Sequence, residues 1–142
     1  MRVYLNRGSI PERIVTGAFI LHSGVTKWRG TPQQAAALHG LASAAYPVLR
    51  AIPPTRFLRL LAVGEAVTGA ALLTPIVSDQ KAGALLSIFS GALVTMYWRT
   101  PTLRKPGSIW PTPAGIAVSK DVWMLGIGAA LVMGKRDVRP AF

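Results

Sequence analysis

The segment Ala82–Trp98 contains no charged residue and offers no polar face to water. A helix that is apolar all round belongs in a buried core or within a bilayer. Three other stretches resemble it: Ile14–Val25, which holds His22 and Ser23; Phe57–Val77, broken by Arg59 and Glu65; and Ala114–Gly134, which carries Lys120 and Asp121. A membrane-crossing helix needs about 20 mostly apolar residues, within a range of roughly 17–25. Phe57–Val77 and Ala114–Gly134 meet that length, and Ala82–Trp98 just reaches it. Ile14–Val25 reaches it only if its helix runs from Pro11 to Arg29, with Glu12, Arg13 and Lys27 at the edges. The chain of 142 residues is therefore expected to be one all-α domain, an integral membrane four-helix bundle with spans near 11–29, 57–77, 82–99 and 114–134. The alternative, a soluble four-helix protein, is set aside because Ala82–Trp98 lacks a polar face.

Composition supports that reading and narrows the function. Charged residues are 15% of the chain and hydrophobic residues 51%, whereas a soluble domain carries about 25% charged residues. Yet 16 Lys+Arg stand against 5 Asp+Glu, a net charge of +11. Such a balance calls for an anionic partner, either nucleic acid or a membrane surface. The aromatic residues border the apolar spans, so anionic lipid headgroups are the expected partner and nucleic acid is not. The chain has no Cys, which excludes disulfides, thiolate metal sites and Fe–S clusters. Its two His residues lie far apart and leave little for a metal site. Gly126-Ile127-Gly128 lacks the third glycine of a dinucleotide fingerprint, and Gly134-Lys135 lacks the earlier glycine of a P-loop. Arg2, Arg7 and Arg13 precede the first stretch as in a signal peptide, but Lys27-Trp28-Arg29 follows it where a small-residue cleavage site would stand. That helix is expected to be retained.

Between the first two spans, Thr31-Pro32-Gln33-Gln34 reads as a helix start, with Thr31 as N-cap, Pro32 in the first turn and Gln34 closing a capping box. A short interfacial helix over 32–45 is expected, lying on the membrane surface or against the bundle. Pro47, Pro53 and Pro54 make the return to the second span. The second and third spans join tightly around Ser78-Asp79-Gln80. Thr100–Pro113, with four prolines and Arg104-Lys105, is expected to be extended and basic. One side of the bundle, side B, then carries both long loops, and side A carries the termini and the short loop. Trp28, Trp98, Trp110, Trp123 and Tyr97 all fall toward side B, a one-sided aromatic belt. The basic residues divide 9 to 7 between sides B and A, too evenly to orient the chain. Long loops are better tolerated outside, so the termini are assigned to the cytoplasm.

Ionisable groups within hydrocarbon are costly, about 2.5–3.5 kcal/mol on insertion scales, and point to function. At 1.5 Å per helical residue, Glu65, His22 and Lys120 each fall roughly 9 Å below side B. That shared level suggests a polar, ligand-binding cluster of His22, Glu65, Lys120 and Asp121, with Lys27 at its rim. Glu65 is expected to pair with a lysine, because an isolated carboxylate does not survive in hydrocarbon. Plainer readings stand beside this one. Lys27 also fits a lysine that snorkels to the interface. His22 fits a packing hydrogen bond. A Glu65–Lys120 ion pair could be purely structural, and a late start to the fourth helix would leave Lys120 and Asp121 at the surface.

Small residues recur at four-residue spacing on three helices, a pattern that lets backbones approach closely. They are Ala62, Ala66 and Ala70; Gly83, Ser87, Gly91 and Thr95; and Gly126, Ala130 and Gly134. Packing within one bundle explains them as readily as a dimer interface does.

Three ordered motifs carry a resemblance. They are Arg13-Ile14-Val15-Thr16-Gly17 running on through Ser23-Gly24 to Lys27, then Gly64-Glu65-Ala66-Val67-Thr68-Gly69, then Ser119-Lys120-Asp121. Together they resemble the DoxX and DoxX-like family of small four-helix membrane proteins. The match weakens across Thr31–Arg56 and Thr100–Pro113. The resemblance implies an inner (plasma) membrane protein. The family's founding member is associated with a thiosulfate:quinone oxidoreductase, and other members with membrane redox complexes and oxidative stress. By that likeness the chain is expected to be a non-catalytic accessory subunit with protein partners in a larger redox-linked membrane complex. The alternatives are a quinone- or lipid-binding protein of such a system, and a small-solute or proton pathway. No covalently bound cofactor is expected, and the missing Cys excludes a thiol relay by this chain.

Overall fold

The computed structural model describes residues 6–134. Expectations that rest on the termini, including Arg2 and Lys135, lie outside the described residues. The described chain is helical, with no strand and only an isolated bridge between Arg104 and Pro111. Its helices are α1 (Ile10–Trp28), α2 (Pro32–Ala45), α3 (Pro54–Leu73), α4 (Asp79–Arg99), α5 (Ile116–Ser119) and α6 (Asp121–Met133).

Local chemistry sets most of these boundaries. Pro11 and Glu12 occupy the first turn of α1, where a missing N–H costs nothing and a negative charge meets the helix dipole. The Thr31 hydroxyl caps α2 by accepting the Gln34 N–H at 3.2 Å. Pro53 and Pro54 open α3, which ends at Leu73 with Thr74 as its C-cap, just before Pro75. Ser78 caps α4 by accepting the Lys81 N–H at 3.3 Å, with Asp79 in the first turn. At Lys120 the last helix breaks, and α5 gives way to α6.

The bundle is two antiparallel pairs, α1 with α3 and α4 with α6. In each pair the backbones meet at glycines. A Cβ on Gly69 would stand 2.6 Å from the Leu21 nitrogen, and one on Gly24 would stand 2.7 Å from the Ala62 carbonyl. In the second pair, a Cβ on Gly83 would lie 2.7 Å from the Gly128 carbonyl, and one on Gly128 would lie 2.5 Å from the Ser87 hydroxyl.

The small-residue stripes need correction here. Ala62 is buried and Ala66 half-buried at the first crossing, while Gly83 and Ser87 serve the second. Gly91 only approaches Leu125. Ala70, Gly126, Ala130 and Gly134 are exposed, and a Cβ on Gly126 would meet nothing. Gly128, two residues on, takes its place. Two residues turn a helix by about 200°, so the stripe chosen on the last helix faces away from α4.

Ile20, Leu72, Ala82, Leu86 and Leu131 form a core that ties the two pairs together toward side A. Toward side B, α2 packs on α3 and α4, with Ala42 and Ala45 against Met96. The Thr100–Pro113 segment is not extended. It folds back on itself, the Lys105 N–H donating to Trp110 and the Thr112 N–H to Leu103 at 2.9 and 3.0 Å. Gly107, at φ 66°, supplies the left-handed residue of the turn.

Among the described residues, only Pro113–Met133 is both long and apolar enough to cross a membrane. The charges at the ends of α1, and Arg56, Arg59 and Glu65 within α3, dilute those helices. In α4 the diluting residues are Gly83, Gly91, Ser87 and Ser90 together with the charged ends.

Candidate functional site: a cavity between the helix pairs

Between the two pairs lies a cavity of about 610 Å³, within the range of small-molecule sites, roughly 300–1,000 Å³. Its walls come from α1, α3, α4, α5 and α6, and α2 contributes Leu38, Leu41 and Ala42. From Val15 to Lys27 it runs along α1 for roughly 18 Å. The lining is mostly aliphatic and aromatic, with polar groups gathered from Ser23, Lys27, Glu65, Lys120 and Asp121. Val15 and Phe19 of α1 and Trp123 of α6 line it too, yet are 70%, 73% and 70% exposed. The cavity therefore opens sideways between α1 and α6, as well as lying beneath α2.

At its polar end the Lys27 ammonium sits 3.0 Å from Glu65 Oε1 and 3.1 Å from Oε2, and donates to the Ser23 hydroxyl at 2.6 Å. Ser23 and Lys27 share a face because they are one helical turn apart. Glu65 is 7% exposed. Its partner is thus Lys27 and not Lys120. The close α1–α3 crossing brings Lys27 across to Glu65, whereas Lys120 rides on the other pair. Lys120 is exposed at the cavity rim. Asp121 is half-buried in the cavity wall, in the first turn of α6, and takes no hydrogen bond or ion pair among the described residues.

His22 does not join them. It lies at a similar height but is exposed on the outer side of α1 and does not line the cavity. One residue turns a helix by about 100°, so His22 cannot face the same way as its neighbour Ser23. Depth along a helix was readable from spacing, but rotation about it was not.

A second charged site escaped the sequence reading. Arg13 is 1% exposed and pairs with Asp79 at 2.6 Å. Its guanidinium also donates to the carbonyls of Leu72, Ala71, Thr74 and Val77 at 2.8, 3.0, 3.0 and 3.0 Å. All five of its N–H donors are used. The first three carbonyls belong to the C-terminal turn of α3, where helix acceptors are orphaned and the dipole is negative. Asp79 in turn accepts from the Ser9 hydroxyl at 2.8 Å. The signal was present in the composition. With so few acids, an Asp in the tight side-A loop opposite an Arg at the side-A end of α1 was a candidate pair.

Comparison with protein-family models, with curated proteins and with solved structures returned no match.

Proposed function

We propose that the chain is a small multi-pass membrane protein that holds an amphipathic molecule, a lipid or a quinone, in the cavity between its helix pairs, with no chemistry of its own. The observation that carries this is an inversion of polarity. Arg13, Glu65, Asp79 and Ser90 are buried, while Ile14, Phe19, Val67, Ile88 and Val122 stand exposed on the long helices. Water would strand those side chains, and a bilayer would cover them. Under this reading α1, α3, α4 and α5–α6 all cross; in the charged helices Arg13 is paired with Asp79 and Glu65 with Lys27. Trp28 and Trp98, stacked with Arg59 and Arg104 at 5.5 and 4.5 Å, mark the side-B interface. The sideways opening at Phe19 and Trp123 would then face acyl chains, so the ligand would enter from the bilayer.

A second reading, an accessory subunit of a larger redox-linked complex, is favoured by the outer face of α6. Gly126, Ala130 and Met133 are exposed there on the most apolar helix of the chain. The DoxX-like motifs support both readings: Arg13, Lys27, Glu65 and Asp121 all fall within them.

Native mass spectrometry of the protein released from membranes tests the proposal. A retained lipid or quinone that is lost in Glu65→Gln supports the binding reading. A protein that partitions into the aqueous fraction, or carries no small molecule, contradicts it.

A further inference from the structure

A second recess lies on the outer face of the α1–α3 pair and shares no lining residue with the cavity. It is an open groove of about 220 Å³ with an apolar surface. Gly24, Ala62 and Ala66 form its floor, where the two backbones come closest. Val25 and Val63 flank them and are exposed. On α1, Val25, Trp28 and Arg29 share a face through spacings of three and four residues, and on α3 so do Arg59, Ala62, Val63 and Ala66. The helices are antiparallel, so Arg29 and Arg59 arrive at the same end of the groove, toward side B. The Arg59 guanidinium stands 5.5 Å from the centroid of the Trp28 ring, a cation–π distance that holds it beside the groove. Arg56, one turn earlier on α3, adds a third positive charge. All three arginines are exposed, and among the described residues none of them forms an ion pair. The described acids are elsewhere: Glu12 at the far end of α1, Asp79 on Arg13, and Glu65 and Asp121 at the cavity.

Resting on the reading of the chain as a membrane protein, but not on what fills its cavity, we propose that this groove binds one anionic phospholipid. Arg29 and Arg59 hold the phosphate, and the start of an acyl chain lies over Gly24, Ala62 and Ala66. The order of chemistry along the groove is that of a phospholipid in one leaflet. The arginines stand at the level of Trp28, an interfacial residue under the membrane reading. From Arg29 the groove descends to Gly24, roughly 7.5 Å at 1.5 Å per residue. Guanidinium forks match phosphate oxygens. Arginines with no carboxylate of their own favour a headgroup with net negative charge, whereas a zwitterionic headgroup brings an ammonium that they repel. A second copy of this chain fits the groove poorly, because a symmetric contact would bring the same uncompensated arginines together.

The test uses the full chain in mild detergent, titrated with phosphatidylglycerol or with phosphatidylcholine of identical acyl chains. Adducts are quantified by native mass spectrometry. Phosphatidylglycerol is expected to bind about tenfold or more tighter, the factor that one hydrogen bond to a charged group supplies. Arg29→Gln and Arg59→Gln should each cut that preference. Arg50→Gln, which removes an exposed arginine that does not line the groove, should keep it. Val63→Trp retains every arginine and fills the groove from an exposed position. It should weaken phosphatidylglycerol binding while the protein unfolds at the parent temperature. An equal loss in Arg50→Gln and Arg59→Gln would assign the preference to the basic surface as a whole and overturn the site. A dimer that Val63→Trp dissolves, with no lipid preference, would give the groove to a second copy and overturn it as well. Equal binding of the two lipids by the parent protein would overturn this inference and leave the membrane reading standing. A protein that stays in the aqueous fraction and retains neither lipid would overturn both.

Discussion

The two buried ion pairs use the same bond in different settings. Arg13–Asp79, on side A, is enclosed: every guanidinium donor is matched, and the pair ties the end of α3 to the start of α4 and to the chain before α1. Lys27–Glu65, toward side B, forms part of a cavity wall, with Asp121 unpaired nearby. A closed network stabilises a fold, whereas an ion pair facing open space can exchange partners with a ligand. By that criterion Arg13–Asp79 serves the fold, and Lys27–Glu65 is the pair open to the proposed ligand.

The largest expected effect follows from breaking the closed network. Asp79→Ala should destabilise the protein by about 3–5 kcal/mol, because it strands a buried guanidinium. Thermal unfolding in detergent would show it, and a loss below about 1 kcal/mol would make the network ornamental. Next come the glycine crossings. Gly69→Leu should cost about 1–3 kcal/mol through overpacking against Leu21, whereas Gly126→Leu, with open space around its Cβ, should leave the unfolding temperature of the monomer unchanged. If Gly126→Leu instead dissociates a larger assembly on a native gel, the accessory-subunit reading gains. Glu65→Gln keeps an acceptor beside Lys27, so its effect on stability should stay near about 1 kcal/mol. Its effect should fall on bound molecules instead. The smallest effect is expected at His22→Ala, within about 0.5 kcal/mol, as for other surface positions. A large loss there would restore His22 to the interior.

The same contrast explains what could be read from the amino acids alone. Helix positions were legible because capping residues and prolines act locally: Thr31 opens α2, and the Pro53-Pro54 and Ser78 starts bracket α3 and α4. That Glu65 and Lys120 reach one level was legible because rise per residue is constant. Which lysine faces Glu65 was not, since that depends on which helices pair, and the pairing is decided by Gly17, Gly24 and Gly69 meeting across α1 and α3. The fold of Thr100–Pro113 was missed for a related reason. Its prolines suggested an extended chain, but Gly107 and the Lys105–Trp110 bond close it. The Arg13–Asp79 pair joins residues 66 positions apart, beyond the reach of any local pattern.

If the two ion pairs have separate roles, one paired measurement separates them. Asp79→Ala and Glu65→Gln are each purified from membranes, and both unfolding temperature and co-purifying small molecules are recorded. Asp79→Ala should sharply lower the unfolding temperature, while Glu65→Gln should unfold near the parent temperature but lose the proposed amphiphile. A Glu65→Gln protein that carries the same bound molecules as the parent and unfolds as early as Asp79→Ala would contradict that separation.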